Sequence, residues 1–163
     1  MSTVTRGPGE DALRHGEVHG VELDAGFRVL AVTVGPVGDG GGEWPSADDD
    51  PRVQLLLFPV GEFAATLRRT ADDGVEILQF DAEQLPQIVA LFERAVPVVD
   101  PWPPDRPNRG EWGPRLSLHG NSAAPDGRRR HLWLAFEEDD LRFDLHATFD
   151  ELELRDAFGA DLA

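Results

Sequence analysis

The feature that most constrains this chain is the alternation running from Arg130 to Ala147. Leu132, Leu134 and Phe136 recur at every second residue, as do Leu141, Phe143, Leu145 and Ala147. Side chains of a strand point alternately to opposite faces, so this period marks two half-buried strands. Glu137-Glu138-Asp139-Asp140 lies between them as a polar turn, which predicts a β-hairpin. A turn centred on Glu138-Asp139 pairs Glu137 with Asp140. It then sets Ala135 opposite Arg142, Trp133 opposite Asp144 and His131 opposite His146, all on the second, polar face.

An earlier alternating stretch, Arg115 to His119, offers Leu116 and Leu118 to the core and leaves Arg115, Ser117 and His119 on the other side. If the intervening loop closes a second hairpin, His119, His131 and His146 form a row across three strands. Opposed residues in an antiparallel pair have Cβ atoms about 4.5–5.5 Å apart, a spacing that suits a zinc-type metal or a set of titratable bases. The competing account is three solvated histidines at strand ends, and a shift of register would rearrange the row.

The rest of the chain predicts a single α+β domain, with a mainly antiparallel sheet packed by two or three helices. Residues 1–16 read as a flexible N-terminal arm, and 17–163 as the domain, with long loops at 35–51 and 97–114. Val18–Leu23 and Phe27–Val34 read as strands joined by Asp24-Ala25-Gly26. Arg52–Phe58 is nearly continuous in apolar residues, which places it centrally in a sheet. Glu62–Arg69 is rich in helix formers and reads as a short helix, with an alternating strand as the competing pattern. Val75–Phe80 reads as a strand. Asp81 and Gln84 have the spacing of a capping box ahead of a helix ending near Val96. Thr148 and Glu151 suggest the same start for a C-terminal helix of about ten residues.

Charge sets the functional expectations. The formal net charge is −16, every basic residue is arginine, and there is no cysteine. The lysine-free, Ala-, Gly-, Asp- and Arg-rich composition fits a GC-rich coding bias. Cysteine-based zinc fingers, disulfides and thiolate catalysis are excluded. The negative charge opposes nucleic acid and anionic membranes and favours a protein with a basic surface. No apolar run approaches the roughly 18–20 residues of a membrane span, and Met1–Arg6 lacks a signal-peptide core, so the expected location is cytoplasmic. The Gly-rich stretch 35–51 has no following Gly-Lys-Ser/Thr and carries Asp39, Glu43 and Asp48–Asp50, which argues against a phosphate loop. Only four serines are present, none in a nucleophile elbow, and no catalytic residue is assigned.

Two surfaces stand out for binding. Residues 137–163 hold ten carboxylates against two arginines, half of the net charge, with Glu137, Glu138, Asp139 and Asp140 at the hairpin tip. Trp102 and Trp112, in the proline-rich 97–114 segment with Arg106 and Arg109, either fold onto the core or offer an aromatic recognition surface. In general character the chain resembles lysine-free actinobacterial proteins and small toxin-neutralising immunity proteins. That resemblance implies a non-enzymatic protein-binding module, an inhibitor or immunity-type protein acting on a basic partner, with no cofactor. The alternative is a metal-binding protein or hydrolase using zinc at His119, His131 and His146.

Overall fold

The computed structural model describes residues 7–37, 50–102, 116–118 and 129–162. Helix α1 spans Pro8–His15 and α2 spans Leu85–Val89, preceded by a 3-10 turn at Ala82–Gln84. The described residues also form nine strands, in chain order: β1 Gly16–Asp24, β2 Val29–Pro36, β3 Val53–Phe58, β4 Phe63–Ala71, β5 Gly74–Leu78, β6 Leu116–Leu118, β7 Arg130–Glu138, β8 Leu141–Phe149 and β9 Glu151–Asp156. They form two antiparallel sheets, ordered β1-β2-β3-β9 and β5-β4-β8-β7, with β6 also on β4. This is the expected α+β class.

The inner faces of both sheets feed one buried cluster. Val32, Val34, Leu55 and Leu57 come from the first sheet, and Phe63, Leu67, Leu134, Phe136, Phe143 and Leu145 from the second. Phe136 stacks on Phe143 at 6.1 Å and meets Phe92 at 5.8 Å. β3 lies between β2 and β9, the central place its apolar run predicts. A bulge at His19 shifts the β1 register, so that Val18 and Val21, three residues apart, both point inward.

β3 pairs with β9 and β4 with β8, so one two-stranded ribbon bends from the first sheet into the second. The bend occupies Pro59–Glu62 on one strand and Asp150 on the other. Its backbone groups are bonded locally. The Glu62 N–H donates to Thr148 Oγ1 at 2.7 Å, the Gly61 N–H to the Thr148 carbonyl, and the Thr148 N–H to the Glu62 carbonyl. Arg28, held at φ +54, reaches from the β1–β2 turn and donates to the Val60 carbonyl at 2.8 Å. Thr148→Val removes the acceptor of the Glu62 amide at a site where Thr148 is buried. A loss of about 1–2 kcal/mol is expected in urea unfolding, because the amide loses its bond and most of its access to water.

Four expectations are corrected. Residues 8–15 are not arm but helix, with Ala12 and Leu13 buried in the core. Of the expected helix Glu62–Arg69, Phe63–Arg69 lies in β4, where pairing on both edges overrides helix propensity. The C-terminal helix is absent from the described residues. Thr148 spends its hydroxyl on the bend, and Leu152 and Leu154 pair with Leu57 and Leu55 as β9. The helix expected to reach Val96 stops at Val89 and continues as turns, although Gln84 Oε1 does accept the Asp81 N–H at 2.8 Å as its spacing suggests.

Just ahead of β3, Arg52 bonds Asp50 through its guanidinium and its backbone N–H. These bonds hold the Asp50 carboxyl down at about 2, from an ordinary 3.8. A depressed carboxyl stabilises the fold above its unfolded range and loses that contribution as pH falls through the folded value. NMR titration is therefore expected to place Asp50 near 2, and Arg52→Ala to raise it toward the ordinary carboxylate range while the backbone bond keeps it below.

Candidate functional site: the outer face and the acidic end of the second sheet

The β7–β8 turn has two residues, Asp139 and Asp140, with Asp139 at φ +49. Aspartate tolerates this left-handed conformation. Strand pairing therefore continues to Glu138 opposite Leu141. Relative to the sequence-based register the strands slide by two residues. Trp133 lies opposite His146, Ala135 opposite Asp144, Glu137 opposite Arg142 and His131 opposite Thr148. A slide of two preserves the faces, so the polar face expected from alternation is present with different partners.

That face is the buried polar surface of the second sheet. Thr66, Asp144, His146 and Thr148 are its buried polar side chains, on β4 and β8. Asp144, 1% exposed, is the hub. Arg142 grips it with two bonds of 2.9 and 3.1 Å, Arg68 forms an ion pair with it, and Trp133 Nε1 donates at 3.3 Å. Arg142 also reaches Glu137 at 2.8 Å. The Asp144 hydrogen bonds raise the Arg142 guanidinium above its ordinary value, with burial opposing and Glu137 assisting. Beside the hub, His131 and His146 stack at 5.4 Å, and His131 Nδ1 lies 3.2 Å from His146 Nε2, one donating to the other. The structure thus joins two of the three predicted histidines as diagonal neighbours. His119 lies outside the described residues, and among those described no group of three His, Asp or Glu side chains is placed to hold a metal ion.

Of the two tryptophans, Trp102 packs edge-on against Phe149 at 6.4 Å, with the Arg130 guanidinium 5.8 Å from its ring. It belongs to the core boundary rather than to an open aromatic surface. Trp112 lies outside the described residues.

The acidic residues gather at one end. The Thr70 N–H donates to the Asp140 carbonyl at 2.7 Å, which ties the β4–β5 turn, Asp72-Asp73, to the β7–β8 turn. The Glu93 N–H donates to Glu138 Oε2 at 2.6 Å, drawing in the segment after α2. Between them lies a cleft of about 420 Å³ lined by Ala90, Leu91, Glu93, Glu138, Asp139, Asp140 and Leu141. Leu91 is 54% exposed, an apolar point amid four carboxylates. Nearby cations are partly committed, Arg142 to Asp144 and Glu137, and Arg69 within 3.9 Å of both Asp140 and Glu76. Asp72, Asp73, Glu76 and Glu93 did not emerge from the sequence reading. The Asp72-Asp73 pair between alternating strands carries the same signal as Asp139-Asp140, but a helical reading of Glu62–Arg69 hides it.

A second cleft of about 640 Å³ lies by the β1–β2 turn and is lined in part by Glu22, Asp24, Phe27 and Glu83. No described helix is long and apolar enough to cross a membrane. Comparison with protein-family models, curated protein sequences and solved structures gave no significant match.

Proposed function

We propose that this protein is a non-enzymatic binding module that docks a protein with a basic surface, as an inhibitor or immunity-type protein would, through the acidic end of its second sheet. The observation that carries this reading is the cleft in which exposed Leu91 sits among Glu93, Glu138, Asp139 and Asp140, with the Asp72-Asp73 turn bonded alongside. An apolar anchor inside a charged rim is the usual anatomy of a specific interface. Dense negative charge also speeds encounter with a cationic surface and makes binding salt-dependent.

The test is capture of basic proteins from lysate at low and high salt, followed by identification and reconstitution. Replacing Glu137 and Glu138 by Gln and Asp139 and Asp140 by Asn is expected to weaken binding of the reconstituted partner by at least about tenfold. The pair Glu22→Gln and Glu83→Gln, at the other cleft, is expected to change it little. Equal binding by the tip variant rules out this surface.

The runner-up reading, a zinc-binding protein or hydrolase, draws on the contact between His131 and His146. It requires stoichiometric zinc that raises the melting temperature, with the rise lost in His131→Ala.

A further inference from the structure

We infer that β5 is a strand-addition site: an extended segment of the partner, alternating cationic and apolar residues, joins the second sheet at this edge. The inference rests on the acidic-docking reading above and specifies how the partner is held.

Among the described residues, the edge strands β1, β7 and β9 carry backbone bonds on their outer sides, and β6, which like β5 pairs with β4 alone, is only three residues long. On β1, the Val18 N–H donates to the Ala95 carbonyl. On β7, the Val98 N–H donates to the Ala135 carbonyl and the Trp133 N–H to the Pro101 carbonyl. On β9, the Asp156 N–H donates to the Ala160 carbonyl and the Leu162 N–H to the Leu154 carbonyl. β5 bonds to β4 alone among these elements, and Val75 on it is 62% exposed. An open edge is a template for another strand, which proteins ordinarily cover.

The register shows which groups are offered. The Thr70 N–H points away from β5, to the Asp140 carbonyl. Its β5 partner is Val75, so this is a non-hydrogen-bonded pair, and Val75 turns its N–H and C=O to the open side. Arg68 and Ile77, two residues along, repeat the arrangement. An incoming strand therefore finds two donors and two acceptors at Val75 and Ile77, the recognition mode of β-augmentation.

Charge selects the occupant. Glu76 lies between these two residues and Asp72 and Asp73 at the end of the strand, which the Thr70–Asp140 bond ties to the turn lining the acidic cleft. A strand of alternating character sets cations beside Glu76 on one face and apolar side chains beside Val75 and Ile77 on the other. A second copy of this chain would instead bring its own acidic turn against this edge.

The test uses the whole protein and a synthetic decapeptide alternating arginine and valine. At low salt the peptide is expected to bind and to slow amide exchange at Val75 and Ile77 by about tenfold or more. Val75→Pro removes an outward donor while leaving the β4–β5 pairing bonds, and is expected to weaken binding at least about tenfold. A peptide N-methylated at alternate residues gives the same readout on the unaltered protein. Loss of binding with the methylated peptide supports strand addition even if the proline variant fails to fold. Peptide binding that survives N-methylation on either edge and leaves both amides unprotected overturns strand addition while leaving acidic docking standing. Acidic docking itself fails separately, if the reconstituted partner ignores the tip variant.

Discussion

Asp144→Ala is expected to lower unfolding free energy by about 3 kcal/mol, near the lower end for breaking a buried ion pair. The carboxylate is almost fully enclosed and accepts from Arg68, Arg142 and Trp133 Nε1. Its removal leaves two guanidiniums facing each other across neighbouring strands, since Arg68 and Arg142 are register partners. Their side chains are 26% and 31% exposed, so water recovers part of the loss, which keeps the value from the upper end. In a domain of this size the change corresponds to a fall in melting temperature of roughly 6–12 °C. Asp144→Asn keeps an acceptor for the indole and loses the charge, so it should fall between wild type and alanine. Coupling Asp144→Leu with Arg142→Met removes one of the two stranded guanidiniums and should cost less than Asp144→Ala. A double variant no more stable than Asp144→Ala would show that the cost lies in Arg68 and in packing rather than in the stranded Arg142. The network also matters to the binding surface. It fastens β4, β8 and β7 together immediately below the two turns that carry Asp72, Asp73, Asp139 and Asp140.

The legible parts of this fold are those in which one period dominates. β7 and β8 alternate cleanly, and their core and polar faces follow from alternation alone. Their register does not, because four consecutive acidic residues can all be turn or can contribute two to the strands. Asp139's left-handed backbone centres the turn one residue later, on Asp139-Asp140, and composition does not reveal it. His131 and His146 were placed on the right face for this reason, with the wrong opposite neighbours. Glu62–Arg69 shows the opposite situation: its helix formers are real, but Phe63, Ala65 and Leu67 are needed on one inner face, and partners on both edges settle the choice. The acidic end was half legible. The tip residues 137–140 are adjacent in sequence, whereas Asp72, Asp73 and Glu93 join them only through tertiary hydrogen bonds.

The N-terminal helix gives the second large expected effect. Leu13→Ala should cost about 2–4 kcal/mol, whereas the same change in a loose arm would cost almost nothing. Leu13 is fully buried, and Ala12 beside it is 1% exposed, so α1 fills a gap in the core rather than decorating its surface. The approach is close: a Cβ built on Gly9 would lie 3.1 Å from Leu152 and 3.2 Å from Leu55, both on the first sheet. Two ion pairs fasten the helix at its sides, Glu10 with Arg130 at the start of β7 and Arg14 with Asp100. Local chemistry also favours a helix here, with proline at its first position, Glu10 and Asp11 in the first turn, and Arg14 and His15 in the last. Eight residues with one large apolar side chain give little periodicity, so the helix depends on the core for its stability, and the core on Leu13. Gly9→Ala makes the converse test. It improves helix propensity but crowds two leucines, so a net loss of about 1 kcal/mol is expected if the contact is rigid. Wild-type stability in Leu13→Ala together with a gain in Gly9→Ala would mean that the helix does not pack here in solution. A loss in both places α1 within the cooperative core of the domain.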